Sequence, residues 1–408
     1  MIASLSLSLP CRERPKCVRP FVVGAKGDSR TVSGSEEFRD VVRKFISREC
    51  PIDVVRQYQT ESRPPVDLVR RMGEIGLLRI GLPESAGGEG GVRELAVLHE
   101  ELGKSFVDLG HLAGRVTYLA SAISTFGADA QRSRWLEPLL RGEVIGALAY
   151  TEPEAGSDVF SLRTKATPTG AGFEINGRKI FTSSFGYADL AIVATKVGEV
   201  RSRDAISLFL IETETSGIEF QKLETLGHPC DGTYEVAFNS VGVAADQCLG
   251  QIGGGRAIMA HTLGRERLLM SSRAVGATIA ALDLCSGYMG VREQFGHKLK
   301  DFQVLRHRIA DIAISIDLGR TAVDKLAQDL EEGIDNSLRS AATKIFTTEN
   351  ALRAADSAVQ IFGGYGYVAS DAQQLYRDAR VYTIGGGTSE VLRDVIGREV
   401  LASTHDGR

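Results

Sequence analysis

Five short segments of the chain combine residue types and spacings that can do chemistry. Tyr150-Thr151-Glu152-Pro153-Glu154-Ala155-Gly156-Ser157-Asp158 joins hydroxyls, permissive backbone and a proline in one rigid polar loop. Its amides and hydroxyls can bind an aromatic heterocycle that needs several hydrogen bonds; a surface turn with a Ser-Asp cap fits the same residues. Ile175-Asn176-Gly177-Arg178-Lys179-Ile180-Phe181-Thr182-Ser183-Ser184 reads as a hairpin turn feeding a strand that ends in an aromatic ring and hydroxyls. Phe181 can flank a planar ring and Ser183 can donate to it, or Phe181 is an ordinary core residue.

The other three segments suit phosphate or close backbone approach. Arg292-Glu293-Gln294-Phe295-Gly296, followed by Phe302-Gln303, joins two long helical patterns. An arginine at such a junction can hold a diphosphate, although a helix C-cap with Gly296 near C′ uses the same residues. Gln360-Ile361-Phe362-Gly363-Gly364-Tyr365-Gly366-Tyr367 places glycines after a helix, where a ligand can approach the backbone. It is not a Gly-x-Gly-x-x-Gly fingerprint after a strand, which argues against a Rossmann site. Finally, Ile384-Gly385-Gly386-Gly387-Thr388-Ser389-Glu390 sets three glycines before a helix cap, a bare loop suited to anionic groups.

The elements that must position these segments fall into three blocks. Residues 35–146 read as a helical domain. There Phe38, Val41, Val42, Phe45 and Ile46 share one face, and further helices are expected over Pro65 to Ile80, Val92 to Leu102 and Asp129 to Arg141. Residues 147–253 change to a period of two, with strands at 191–195, 206–211 and 234–238, and read as a small β domain. Residues 254–408 return to helix, in long segments at 256–292, 302–331, 335–362 and 390–401, which suggests a four-helix bundle. The fold class is therefore α+β, in the order helical, β, helical.

Composition narrows the function classes. A net charge of −4 gives no basic field for nucleic acid. No apolar run reaches the roughly 18 to 20 residues of a membrane span. Cys11, Cys17, Cys50, Cys230, Cys248 and Cys285 show neither metal-ligand nor disulfide-framework spacing, which fits a reducing compartment and predicts no metal. Residues 1–34 are basic and serine-containing. They are expected to form a disordered tail; a transit peptide has the same composition. The cytoplasm is the expected location, with the mitochondrial matrix following if that tail is a transit peptide.

In this order, and over about Ser35 to Leu401, the five segments closely resemble the acyl-CoA dehydrogenases. The Thr-Glu-Pro-x-Ala-Gly-Ser-Asp and Arg-x-x-Phe-Gly segments are specific for that family. The resemblance implies FAD between the β domain and the C-terminal bundle, usually in a homotetramer, with a homodimer as the smaller alternative. Tyr150, Thr151 and Ser157 match the flavin-contacting loop, and Ser157 also faces substrate. Phe181 and Ser183 match an aromatic residue, usually tryptophan, and a threonine beside the isoalloxazine. Arg292, Gln294, Phe295 and Gln303 match residues that reach the FAD diphosphate, in part from a neighbouring subunit. Gln360 and Gly364 match a second diphosphate contact, and Thr388 and Glu390 match contacts in the last loop.

The implied reaction is α,β-dehydrogenation of an acyl thioester, which needs a carboxylate to take the weakly acidic α-proton. Many members carry that glutamate before the Gly-Thr-Ser of the last loop, where this chain has Gly386. In the isovaleryl-CoA and long-chain branches it lies instead in a Glu-Arg-Leu segment of the first long bundle helix. Gly264-Arg265-Glu266-Arg267-Leu268 supplies that segment here. Glu266 is thus the expected catalytic base, Gly386 leaves room opposite it, and Arg267 matches an arginine at the substrate mouth. A solvated helical glutamate near Met270 and Arg273 satisfies the same spacing. The substrate carrier stays open between CoA and a carrier protein. A flavin oxidase or monooxygenase on the same scaffold is a further alternative, and an electron transfer flavoprotein is the implied electron acceptor.

Overall fold

The structure is a computed structural model that describes residues 29–198, 205–334 and 336–403. Most of the expected tail lies outside the described residues. The first helix, α1 (Ser29–Glu49), begins inside that stretch. It is followed by α2 (Ile52–Glu61), α3 (Val66–Glu74), α4 (Val92–Ser105), α5 (Val107–Phe126) and α6 (Asp129–Leu140). The helix expected over 65–80 stops at Glu74 and continues as a single 3₁₀ turn at Leu77–Arg79, because Gly76 takes a left-handed φ of 81°.

The β block contains β1 (Gly146–Ala149), β2 (Lys165–Thr169), β3 (Gly172–Ser183), β4 (Leu190–Val197), β5 (Ile206–Glu212), β6 (Ile218–Leu223), β7 (Thr233–Val243) and β8 (Cys248–Leu249). They form one sheet in the order β6-β7-β3-β2-β4-β5-β8, with β1 parallel to β4. β4 and β5 are buried on both faces, which explains their unbroken apolar runs; β6 at the edge is mostly exposed.

One expectation fails here. Asn176-Gly177 is not the hairpin turn: Thr169 pairs with Gly172, so the chain reverses at Gly170-Ala171, and β3 runs on through both residues. Gly177 is needed for close approach instead. A Cβ there would lie 2.6 Å from Thr164 Cα.

The last block opens with α7 (Gly255–Val291). A two-residue hairpin follows, β9 (Glu293–Gln294) and β10 (His297–Lys298), and then α8 (Gln303–Glu331), α9 (Ser337–Phe362), α10 (Gly364–Tyr367), α11 (Asp371–Ala379) and α12 (Ser389–Ser403). Gly296 therefore sits in the β9–β10 turn, next to Phe295, with φ positive at both; the α7 C-cap is Arg292. α7 shows no single apolar face because α4, α5, α8 and α9 all pack against it. Among the described helices it alone is long and apolar enough to cross a membrane, but most of its apolar stretch is buried inside this protein. α4 and α7 cross with backbones in contact: a Cβ on Gly103 would lie 2.4 Å from the Arg273 carbonyl oxygen. That crossing fixes Arg273 in space.

Candidate active site

Glu266 lies on α7 where segments from several other elements meet. Tyr150, just after β1, places its hydroxyl 3.2 Å from Thr262 Oγ1, one turn before Glu266 on α7. Arg267 donates from Nε to the Gly386 carbonyl at 3.0 Å, and Lys344 on α9 donates from Nζ to the Gly387 carbonyl at 2.9 Å. These two cations pin the glycine loop to α7 and α9. Gly386 adopts a φ of 65°, and a Cβ there would make ordinary contact with the Met270 methyl at 3.6 Å. Thr388 caps α12, its hydroxyl accepting from the Val391 amide at 3.3 Å.

Glu266 is half-buried at this meeting point. Burial raises its pKa above the ordinary 4.5, and the positive charges of Arg273, Arg267, Lys344 and Arg115 oppose that rise without cancelling it. A solvated surface glutamate would not be perturbed in this way.

Behind Glu266 lies a buried polar cluster that the sequence did not reveal. Arg273 donates from one Nη1 to His99 Nδ1 at 3.0 Å and to the Gly110 carbonyl at 3.2 Å. Arg115 on α5 forms a two-pronged pair with Asp231, which lies just before β7. His228 sits between Asp108 Oδ1, 2.8 Å from its Nδ1, and the Asp378 carbonyl, 3.0 Å from its Nε2. Burial alone would lower the His228 pKa, but the carboxylates of Asp378, Asp108 and Asp231 outweigh it and push it up to about 9. The cluster ties the β block to α5 and α11.

On the rim of the β block, Phe181 ends β3 with 65% of its surface exposed and a left-handed φ of 57°. An L-residue held there, with its ring out of the core, is uncommon. The ordinary core reading of Phe181 is thereby excluded. Beside it the Thr182 hydroxyl is buried without a partner, and Ser183 is half-buried. The loop at Thr151 is tied to β3 by the Ile180 amide, which donates to the Thr151 carbonyl at 2.9 Å. Ser157 is exposed in the same loop.

The loop is fixed by two residues to which sequence reasoning gave no role. Glu152 accepts from the Arg163 and Thr164 amides and from Lys179 Nζ at 2.7 Å, while Lys179 also donates to the Tyr150 carbonyl at 3.1 Å. Lys179 has no exposed surface and Glu152 has 6%. The available signal was a lysine inside a strand pattern, a place where an unpaired charge is rarely tolerated.

The remaining predicted residues gather elsewhere. Arg292, Gln294, Phe295 and Gln303 lie at the α7–α8 junction, all exposed, with Phe295 at 92%. The end of α9 joins them: Tyr288 stacks on Phe362 with centroids 4.2 Å apart, and the Arg292 guanidinium lies 5.9 Å from the Tyr365 ring centroid. Gln360 and Gly364 are exposed there, and nothing lies within 4 Å of a Cβ built on Gly364. Along α7, at 1.5 Å per residue, this group stands about 40 Å from Glu266. The predicted residues thus fall into two separate groups on one chain.

Three family domains cover the chain: Acyl-CoA dehydrogenase, N-terminal domain, over residues 33–143; the middle domain over 147–241; and the C-terminal domain over 253–401. The chain belongs to the acyl-CoA dehydrogenase family. It is an oxidoreductase acting on CH–CH bonds, in a family that depends on FAD. It is 34% identical to a probable acyl-CoA dehydrogenase, YngJ, of Bacillus subtilis (strain 168), over 89% of this chain and 97% of that protein. A mitochondrial isovaleryl-CoA dehydrogenase of Solanum tuberosum is 33% identical over 90% of each chain. Among solved structures, a glutaryl-coenzyme A dehydrogenase in its glutaryl-CoA complex superposes with a TM-score of 0.88 at 28% identity, covering 93% of this chain and 97% of that one.

Proposed function

We propose that this acyl-CoA dehydrogenase oxidises an acyl thioester with Glu266 as the catalytic base. The carrying observation is Glu266 itself: half-buried, raised in pKa by burial, and followed on α7 by Arg267, which holds the loop whose glycine at 386 offers no competing acid. Removing the α-proton puts that proton on Glu266 and leaves the electron pair to form the new C=C bond as the β-hydrogen departs with its electrons. A raised pKa makes the carboxylate a stronger base once it is deprotonated. Arg267 and Lys344 hold the glycine loop by its carbonyls, so the wall opposite Glu266 is rigid. Their positive charge favours the ionised form of the base against the effect of burial.

The residues present fit FAD. The outward, left-handed Phe181 offers a ring face, the orphaned Thr182 hydroxyl and half-buried Ser183 offer hydrogen bonds, and the open backbone at Gly364 offers room. Tyr150, Thr151, Ser157, Phe181, Ser183, Thr388 and Glu390 would hold the ring end. Arg292, Gln294, Phe295, Gln303, Gln360 and Gly364 would hold the diphosphate and beyond. When bound, FAD supplies the two-electron hydride acceptor. Because the two groups stand about 40 Å apart along α7, the second group serves the site of another copy, which supports a homodimer or homotetramer. An electron transfer flavoprotein is the proposed acceptor for reoxidation.

Anaerobic mixing of the flavin-loaded protein with a panel of acyl-CoA thioesters tests this reading. Loss of the flavin absorbance band with formation of enoyl product is expected. A yellow protein that no CoA or carrier-bound thioester bleaches contradicts it.

A further inference from the structure

Thr262, Glu266, Met270 and Arg273 recur at helical spacing and line one side of α7. The space along that side is filled on both flanks of the base. Toward the start of α7, Thr262 is buried and its hydroxyl meets the Tyr150 hydroxyl at 3.2 Å. In the other direction Met270 is buried, and its methyl would stand 3.2 Å from a Cβ on Gly385. Beyond Met270 comes Arg273, only 2% exposed. Its Cα stands about 10 Å along the helix axis from that of Glu266.

Two glycines of α5 make room for that side chain. A Cβ on Gly110 would lie 3.0 Å from Arg273 Cδ, and one on Gly114 would lie 3.0 Å from its Nη1. The arginine stem and guanidinium therefore lie flat across both glycines and fill the gap between α5 and α7. The guanidinium is also held at its end. Nη1 donates to His99 Nδ1 at 3.0 Å and to the Gly110 carbonyl at 3.2 Å, and the Tyr118 hydroxyl is hydrogen-bonded to the same group. Burial, and then the charge of Arg273, push the His99 pKa well below 6.5, so its ring is neutral and Nδ1 can accept. The positive charge acts on the Glu266 carboxylate. The guanidinium is thus supplied with partners from α4, α5 and α7 themselves.

We infer that Arg273 is a specificity-determining plug: it closes the acyl pocket behind Glu266, so that the thioester oxidised carries a short acyl chain that ends before octanoyl length. The inference rests on Glu266 being the base, because the base fixes where the α-carbon lies. A longer chain running on past Met270 has to displace the guanidinium. Displacement strands His99 Nδ1, the Gly110 carbonyl and the Tyr118 hydroxyl in a dry interior, a larger penalty than the gain from burying the extra methylenes. A fork held at three points on two helices does not fold aside as a single flexible tail does.

A series of straight-chain thioesters from butyryl-CoA to dodecanoyl-CoA makes the test, read by calorimetric affinity and by anaerobic flavin bleaching of the loaded protein. In an open apolar tunnel each added methylene tightens binding about fourfold. In the unaltered protein that rise should stop before octanoyl-CoA, which should bind on the order of 100-fold more weakly than butyryl-CoA. Arg273→Ala opens the gap over Gly110 and Gly114 and should bring octanoyl-CoA to within a few-fold of butyryl-CoA. Arg273→Met keeps most of the volume but none of the hydrogen bonds; it serves if Arg273→Ala does not fold, and should narrow the difference about tenfold. Affinity that climbs steadily to dodecanoyl-CoA, or a break that stays in place in the folded variants, overturns the inference. The dehydrogenase reading survives either result, because bleaching still occurs. A yellow protein that no member of the series bleaches, as a CoA or a carrier-bound thioester, overturns that reading and the inference with it.

Discussion

Arg273 exerts the largest electrostatic effect of any charged residue on Glu266, from two helical turns along the same face of α7. Burial raises the carboxylate's pKa and the guanidinium restrains it. Deprotonated, such a carboxylate is a stronger base than a solvated one.

The pH dependence of turnover should report that balance. Glu266 must be deprotonated to work, so kcat/KM falls as pH falls, with its acid limb above the ordinary carboxylate value of 4.5. In Arg273→Gln the restraining charge is gone, so the limb moves to higher pH. A profile whose acid limb stays in place in that variant contradicts the coupling.

The Glu152–Lys179 pair fixes the loop at Tyr150 and Thr151 to β3, with neither partner appreciably exposed. Lys179→Met leaves Glu152 buried with its amide donors alone and should cost about 3–5 kcal/mol in denaturant unfolding. Flavin retention should weaken as well, because the loop loses its anchor. Glu152→Gln with Lys179→Met together should be less destabilised than Lys179→Met, since no uncompensated charge remains.

His228 predicts a loss of stability on the alkaline side. Its folded pKa is raised from 6.5 to about 9 by Asp378, Asp108 and Asp231, against the opposing effect of burial. The folded state therefore holds a proton that the unfolded chain releases. The stabilisation is complete below 6.5 and is lost as pH rises through about 9. Lys179 acts in the opposite sense. Burial depresses it to about 8 from 10.5, so its contribution grows with pH across that range. Comparing Tm at pH 6.5 and 9.5 in the unaltered protein and in His228→Gln separates the two, and the variant should show a smaller alkaline loss.

The separation between Glu266 and Arg292 predicts complementation between copies. Glu266→Gln and Arg292→Ala chains should each be inactive or weak alone. Co-refolded, they should regain activity, because one mixed site keeps both an intact base and an intact diphosphate group. Mixing that yields no gain above the weighted average of the two variants argues that one chain completes its own site.

The sequence made the mixed helical and β fold legible, and marked Glu266 as a candidate, because those signals are local. The Glu-Arg-Leu segment and the glycine loop each occupy one stretch of chain, and the long helices carry their own periodicity. α5 escaped notice for a physical reason: it is buried on nearly all sides, so no polar face marks its period. Asn176-Gly177 misled because glycine serves close packing as readily as turns. The Arg115–Asp231 and His228–Asp378 contacts join residues 116 and 150 positions apart, and no local pattern announces such partners.

Exchange of the substrate's α-hydrogen with solvent deuterium tests the central assignment most directly. It is followed by proton NMR on a thioester that binds flavin-loaded protein. The unaltered protein should catalyse exchange, and Glu266→Gln, with its flavin still bound, should slow it by about 10² to 10⁴-fold. Exchange at the unaltered rate in Glu266→Gln would show that another group takes the proton.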